Sequence, residues 1–150
     1  MIPPESSQWA KVTALISIKK ELLWRVLTQP ELTERYMYNC QLHSNWKIGD
    51  KAVWKNKTED GKWQEHVEAS VLVYQPFKHL AFTIYHKSTD HFPETQSELH
   101  FYLIPQKNGL ELRIEQGDFA RIEGGDERCE KCQEGWEYVL PKLVETCNSI

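Results

Sequence analysis

Two neighbouring segments constrain the fold of this chain most, because each alternates strictly between apolar and other residues. They are SELHFYL (97–103) and LELRIEQ (110–116), and the turn KNG (107–109) joins them. An apolar residue at every second position is typical of a β-strand with one buried face. The apolar face of this predicted hairpin consists of Leu99, Phe101, Leu103, Leu110, Leu112 and Ile114. Such alternation predicts an antiparallel sheet with one face in water.

The same period extends to earlier segments, so the hairpin belongs to a larger sheet. QWAKVTALISI (8–18) predicts a first strand, and DKAVWKN (50–56), KWQEHVEASVLVY (62–74) and LAFTIY (80–85) predict further strands separated by turns. The residues expected to be in step on the buried side are Val12, Ala14, Ile16, Ile18, Ala52, Trp54, Val67, Ala69, Val71, Val73, Leu80, Phe82 and Ile84. About six strands are therefore expected between residues 41 and 117, in addition to the first.

Two regions change to a helical period. In residues 19–37 the apolar positions are at helical spacing, and Pro30 is expected to end one short helix and begin a second. Residues 126–148 predict a long helix with Asp126 as its N-cap. Its apolar stripe comprises Trp136, Val139, Leu140, Leu143, Val144 and Cys147. One sheet and one long helix, each with an apolar face, predict a two-layer α+β domain over residues 1–150.

Composition excludes several classes of function. The 150 residues carry a formal charge of −4 without a Lys/Arg cluster, so electrostatics give no support for nucleic-acid binding. No apolar run reaches the roughly 18 residues of a membrane span, and MIPPESSQW does not have the pattern of a signal peptide. A cytoplasmic protein with mostly reduced thiols is expected.

Four segments, in this order, carry a resemblance to a known family. They are ISIKKELLWRVLTQPELTERY (16–36), WKIGD (46–50), SVLVYQPFKHLAFT (70–83) and GWEYVLPKLVE (135–145). The chain resembles the START-like, helix-grip superfamily, also called SRPBCC, in the branch related to the activator of the 90-kDa heat-shock-protein ATPase. Lys19 and Tyr36 depart from the usual Pro and Trp. The resemblance implies a curved antiparallel sheet of about six to seven strands wrapped on a long C-terminal helix, with two short helices after the first strand.

What the resemblance implies about function is broader. Many relatives bind a small hydrophobic or amphipathic ligand between sheet and helix, and this is the leading hypothesis here. The alternative is a co-chaperone-like or stress-response module that binds a chaperone or other protein. A third is a lyase, cyclase or hydrolase, for which the residues provide no catalytic set. No catalytic residue and no cofactor is therefore predicted.

The segment RCEKCQEGW (128–136) contains a Cys-x-x-Cys pair, Cys129 and Cys132, which is the spacing of redox dithiols and of half a zinc site. In a continuous helix Cys147 would lie about 22 Å from Cys132, too far to share a site. Both cysteines continue the stripe of Trp136, so core or cavity-wall thiols are the preferred interpretation. Metal or redox chemistry at the pair is the alternative.

The inward aromatic residues are the candidate cavity wall, because ligand pockets combine apolar walls with few polar groups. The candidates are Tyr36, Trp54, Phe82, Ile84, Phe101, Cys132 and Trp136. Ordinary core packing is the alternative for each. His66 and His100 alternate onto the polar side of their strands, and HKSTDHF (86–92) is interpreted as a polar loop with weak metal-binding potential.

Overall fold

The computed structural model describes residues 7–85 and 96–150, and every structural statement below refers to them. The HKSTDHF segment predicted to form a polar loop lies outside this range. Seven strands, three helices and one 3₁₀ turn follow each other along the described chain. In chain order they are β1 (Ala10–Ile16), α1 (Lys20–Thr28), α2 (Pro30–Thr33), β2 (Gln41–Ser44), β3 (Lys51–Lys57), β4 (Trp63–Gln75), β5 (His79–Tyr85), β6 (Gln96–Gln106), β7 (Gly109–Gly117), the turn Phe119–Arg121 and α3 (Gly125–Asn148).

The strands form one antiparallel sheet in the order β1-β7-β6-β5-β4-β3-β2. Strands β2 to β7 are a meander of sequential neighbours, and β1 joins the far edge beside β7. The alternation in the sequence explains the faces: in β1, Ala10, Val12 and Ile16 are buried while Lys11 and Thr13 are exposed. The predicted α+β helix-grip fold, with its curved sheet and long last helix, is confirmed.

Two prolines have different effects on the helices. Pro30 begins α2, where the missing N–H costs nothing, and it separates this helix from α1 as predicted. Pro141 lies inside α3, yet the helix continues to Asn148. Buried residues on both sides of Pro141, Val139 and Leu143, hold the helix to the sheet through the point where one backbone hydrogen bond is missing.

The start of α3 differs from the prediction. Gly124 is the N-cap in a left-handed conformation with φ of 70°, and Gly125 is the first helical residue. A Cβ atom on Gly125 would lie 1.8 Å from the backbone oxygen of Phe119, so only glycine allows this approach. Asp126 is instead in the first helical turn, where its carboxylate accepts a hydrogen bond from the Gln8 side chain.

Two irregularities interrupt the alternation of β4. The pairing passes from Trp54–Val67 to Lys55–Glu65, which leaves His66 unpaired in a bulge. A second irregularity lies at Leu72, between the pairs of Val71 and Val73. After it, Tyr74 packs against the core in place of Val73, so the inward position predicted for Val73 is wrong.

Helix α3 does not cover the sheet evenly. It packs chiefly against β1, and it reaches the central strands through Trp136, whose ring meets that of Phe101 edge-on at 5.8 Å. The remaining inner face of β3 to β6 is covered only in part, and a cavity lies there. Within residues 7–85 and 96–150, no helix is long and apolar enough to cross a membrane.

Candidate ligand-binding site

A cavity of about 470 Å³ lies between the sheet and α3. Its wall is contributed by the loop after α2, by strands β3 to β7 and by α3. The lining residues are Met37, Tyr38, Cys40, Trp54, His66, Val67, Ile84, Leu99, Gln116 and Trp136. Most of them are apolar or aromatic, which is the usual composition of a site for a small organic molecule.

A smaller recess of about 190 Å³ adjoins the cavity along α3. Four residues line both spaces: Met37, Tyr38, Gln116 and Trp136. Cys132 lines the recess but not the main cavity. The shared residues make the recess a side branch of the same site. Gln116 and Trp136 therefore lie where the two spaces meet.

Gln116 is the polar centre of the site. Its carbonyl Oε1 accepts hydrogen bonds from Trp136 Nε1 at 2.9 Å and from the Cys132 thiol at 3.1 Å. Its amide Nε2 donates to Ser97 Oγ at 3.0 Å, and Ser97 is 1% exposed. Three partners from β6 and α3 thus fix one amide in an otherwise apolar wall.

The bulge in β4 brings two adjacent residues, His66 and Val67, to the cavity mouth. In a regular strand, adjacent side chains point to opposite faces, so this placement depends on the bulge. His66 Nε2 lies 2.9 Å from Asn56 Oδ1, and Asn56 Nδ2 donates to Cys40 Sγ at 3.9 Å. His66 is exposed, as its predicted position on the polar side implies, but the bulge also makes it part of the cavity mouth.

Two stacked tyrosines border the site on the helix side. Tyr38, in the loop after α2, has a left-handed backbone with φ of 51°, and its ring stacks on that of Tyr138 of α3 at 5.7 Å. Lys142 Nζ lies 4.5 Å from the centre of the Tyr138 ring. Both tyrosines remain more than half exposed, so this stack is the outer boundary of the cavity.

The predicted wall residues divide into two groups. Trp54, Ile84 and Trp136 line the main cavity, and Cys132 lines the recess. Phe82, Phe101 and Tyr36 are instead packed in the core, with exposures of 0%, 3% and 3%. The structure thus brings four of the seven together, and whether they contact a ligand stays a prediction.

Packing explains why Phe82 and Tyr36 do not reach the cavity surface. Phe82 is enclosed by the rings of Trp46, Trp54 and Phe101, at centroid distances of 5.1 to 6.4 Å. The Tyr36 hydroxyl donates to the Val26 carbonyl at 2.8 Å, and burial raises the pKa of this hydroxyl far above its ordinary value. Tyr36 therefore connects the loop after α2 to α1.

The two cysteines of the Cys-x-x-Cys pair have different surroundings. Cys132 packs against the core, and burial, with a smaller contribution from Cys129, raises its pKa to about 12. Cys129 lines a polar surface recess with Gln8 and Asp126, and burial followed by the charge of Asp126 raises its pKa. Cys129 thus lines a polar recess and Cys132 packs against the core, so the inner-face interpretation is correct for Cys132 and wrong for Cys129.

All four cysteines are free thiols, and the raised pKa values of Cys129 and Cys132 oppose thiolate formation at neutral pH. In the part of the chain that the structure describes, no three His, Cys, Asp or Glu side chains are grouped so that they could hold a metal ion. The pair has no third ligand within that part.

A separate polar cluster lies on the outer face of the sheet. His79 Nε2 and His100 Nδ1 are 2.8 Å apart, and His100 Nε2 lies 2.9 Å from a carboxylate oxygen of Glu98. Tyr102 stacks on His79 at 4.3 Å, and burial followed by the charge of His100 lowers the pKa of His79. His100 faces away from the cavity, as predicted, but its side chain is only 12% exposed.

The sequence-based candidates did not include Gln116, although a signal for it exists. Gln116 continues the alternation of Leu110, Leu112 and Ile114 by one step, so it occupies an inward position. Ser97 precedes Leu99 and Phe101 in the same manner on β6. Each of these two residues is thus a polar residue at the end of an apolar alternation, and the two form the hydrogen bond between Gln116 and Ser97.

Comparisons with known proteins agree with this architecture. No curated protein matches the chain in sequence. A crystallised protein from Mesorhizobium loti is 25% identical with a TM-score of 0.72, over 94% of this chain and 97% of that one. CalU16 from Micromonospora echinospora is 13% identical with a TM-score of 0.72, over 95% and 78% of the two chains. The Aha1 dimer from Colwellia psychrerythraea, solved in solution, is 17% identical with a TM-score of 0.70, over 94% and 96%.

The strongest evidence for kinship comes from the sequence itself. The model of the family described as activator of Hsp90 ATPase homolog 1-like protein matches residues 17–148. The match covers the chain from the end of β1 to the last residue of α3. The matched residues include the cavity wall and the two short helices α1 and α2 between β1 and β2. The chain therefore belongs to the activator of Hsp90 ATPase homolog 1-like protein family.

Proposed function

We propose that this protein binds a small hydrophobic or amphipathic molecule in the cavity between sheet and α3, without transforming it. The observation that carries the proposal is the apolar cavity of about 470 Å³ with one fixed amide, Gln116, in its wall. Cavities of roughly 300–1,000 Å³ with few convergent polar groups are typical of small-molecule sites. The aromatic walls formed by Trp54 and Trp136 favour flat or ring-containing ligands.

The test is to close the cavity mouth and compare a matched control on the same strand. Val67 lines the mouth and is 37% exposed, whereas Leu72 of β4 is 36% exposed and is not part of the wall. Val67→Trp should block entry and weaken binding by at least about tenfold. Leu72→Trp places the same indole ring elsewhere on the strand and should leave the affinity unchanged.

Intrinsic tryptophan fluorescence provides the measurement, because Trp54 and Trp136 both line the cavity. The wild-type protein is titrated with a fatty acid, a sterol and tricyclic aromatic compounds, and the variants are titrated with each compound that binds. Failure of every compound to bind the wild type would contradict the proposal. Equal affinities of wild type and Val67→Trp would place any observed binding outside this cavity.

A second candidate function is a protein-interaction role of the co-chaperone or stress-response kind. The stacked Tyr38 and Tyr138 support it, since they are 56% and 54% exposed and form an aromatic patch beside Lys142. Calorimetry with a purified 90-kDa heat-shock protein tests it. Binding that Tyr138→Ala abolishes would favour this function, and the absence of binding would count against it.

We also infer that the protein works in the cytoplasm. The four free thiols support this location, because cysteines persist as thiols in reducing compartments. Subcellular fractionation with an antibody to the chain would test it, and recovery from an oxidising compartment would contradict it.

A further inference from the structure

We infer that the cavity selects uncharged ligands that carry a hydrogen-bond acceptor, such as a ketone, and that Gln116 Nε2 is the donor that recognises the acceptor. This inference rests on the proposed function, since it names the ligand class of the same site. It goes beyond apolar burial, because it assigns a chemical requirement to one atom of the wall.

The first step concerns the carbonyl of Gln116, which is fully used by the protein. An amide oxygen has two lone pairs, and Oε1 already accepts from Trp136 Nε1 and from the Cys132 thiol. A hydroxyl or amine of a ligand would have to displace one of these donors. The carbonyl is therefore a poor partner for a ligand that donates.

The second step concerns the amide nitrogen, which has two hydrogens. One is given to Ser97 Oγ at 3.0 Å, and Ser97 is almost fully buried. Among residues 7–85 and 96–150, Gln116 Nε2 donates to Ser97 and to no other acceptor. Its second hydrogen is therefore left for a ligand. Because Gln116 lines both the cavity and its recess, an acceptor that enters from the mouth can reach this hydrogen.

The third step concerns charge. The lining residues that the structure describes include no Lys, Arg, Asp or Glu, and the titratable side chains among them are Tyr38, Cys40 and His66. A carboxylate placed beside Gln116 would lose its hydration without gaining a cation, which is a large cost in an apolar site. A neutral acceptor avoids this cost while satisfying the free N–H.

The test uses three tricyclic probes of similar shape: 9-fluorenone, fluorene and fluorene-9-carboxylate. Dissociation constants for the wild-type protein are measured by calorimetry at a fixed low content of dimethyl sulfoxide. One neutral hydrogen bond corresponds to roughly fivefold in affinity, so fluorenone should bind about fivefold more tightly than fluorene. The carboxylate should bind more weakly than either neutral probe.

Two variants assign the preference to Gln116. Gln116→Met keeps the length of the side chain and removes the donor, so fluorenone and fluorene should become equal. Gln75→Leu, at the exposed end of β4, is the matched control and should keep the wild-type ratio. Because Gln116→Met also removes a partner of Trp136 and Ser97, the wild-type probe ratio is the primary measurement.

The NMR chemical shifts of the Gln116 side-chain amide distinguish ligand recognition from a purely structural role, because a structural role predicts no difference between the two neutral probes. In a ¹⁵N-labelled sample, the Gln116 amide pair should shift more with fluorenone than with fluorene. Equal affinities of the two neutral probes, or tighter binding of the carboxylate, would overturn this inference and leave the proposed function intact. Failure of all three probes to bind would overturn this inference, and failure of the fatty acid and the sterol as well would overturn the proposed function.

Discussion

At the scale of single residues, the chemistry of a side chain depends more on how deeply it is buried and on which groups surround it than on its residue type. Cys129 and Cys132 have the spacing of a reactive pair, yet Cys132 donates to Gln116 and Cys129 lies beside acidic groups. Both environments favour the protonated thiol. Gln116, which belongs to no recognised motif, has instead the most connected polar position in the cavity wall.

The raised pKa of Cys132 predicts that stability falls in alkaline solution. In the unfolded chain a thiol loses its proton near pH 8.5, whereas the pKa of Cys132 in the folded protein is about 12. Between these values the folded state binds more protons, so the free energy of unfolding decreases as pH rises. The Cys132→Ala variant lacks this contribution. Its free energy of unfolding should therefore fall less between pH 7 and 10.5 than that of the wild type, by roughly 1–3 kcal/mol.

Urea unfolding at the two pH values measures the difference. The buried Tyr36 also has a raised pKa, but it contributes equally to wild type and variant, so the comparison isolates Cys132. An equal alkaline loss in the two proteins would show that Cys132 ionises as readily in the folded state as in the unfolded chain.

At the scale of elements, irregularities in β4 and the start of α3 shape the site. The bulge at His66 places two adjacent side chains at the cavity mouth, which the two-residue period does not allow. Gly124, the N-cap, and Gly125, the first helical residue, let α3 start directly against Phe119.

Two glycines of α3 are predicted to respond in opposite directions to alanine. In Gly125→Ala the new Cβ would lie 1.8 Å from a backbone oxygen, so the backbone must shift, at a cost of about 2–3 kcal/mol. In Gly135→Ala the nearest atom is the Tyr38 hydroxyl at 3.8 Å, and helix propensity should stabilise the protein by up to about 1 kcal/mol.

Thermal unfolding of both variants beside the wild type provides the measurement. The midpoint should fall for Gly125→Ala and rise for Gly135→Ala. An unchanged midpoint for Gly125→Ala would mean that the start of α3 does not depend on close contact with Phe119.

At the scale of the whole molecule, the cavity exists because α3 leans towards one side of the sheet. The helix packs chiefly on β1, and the central strands are reached by Trp136 alone among its large aromatic residues. The loop after α2 covers the remaining side, and the stack of Tyr38 on Tyr138 connects that loop to the helix. Access to the cavity is therefore controlled by two distant parts of the chain.

Loosening this connection should change the rate of ligand exchange. Tyr138→Ala removes the ring on which Tyr38 stacks, so bound fluorenone should dissociate severalfold faster, on the scale of one lost aromatic contact of about 1 kcal/mol. Tyr138→Phe keeps the stack and should retain the wild-type rate. Stopped-flow displacement followed by tryptophan fluorescence measures both, and identical rates in Tyr138→Ala and wild type would argue against this boundary.

The secondary structure and the fold class were predictable from local patterns in the amino-acid sequence. Strict alternation around Phe101 and Ile114 predicted the antiparallel sheet, and the spacing of Trp136, Val139 and Leu143 predicted the gripped helix. These patterns are local, because burial of one face of a strand or helix fixes the period of its apolar residues. The family followed from the order of such segments along the chain.

Which inward residues line the cavity and which fill the core depends on contacts in the folded protein. Phe82 and Trp54 both point inward, but Phe82 is enclosed by other rings while Trp54 reaches the cavity. That distinction depends on the packing of α3 on β1, the bulge at His66 and the approach of Tyr38 to Tyr138. Each of these is a contact between residues far apart in the chain, and periodicity within one segment contains no information about them.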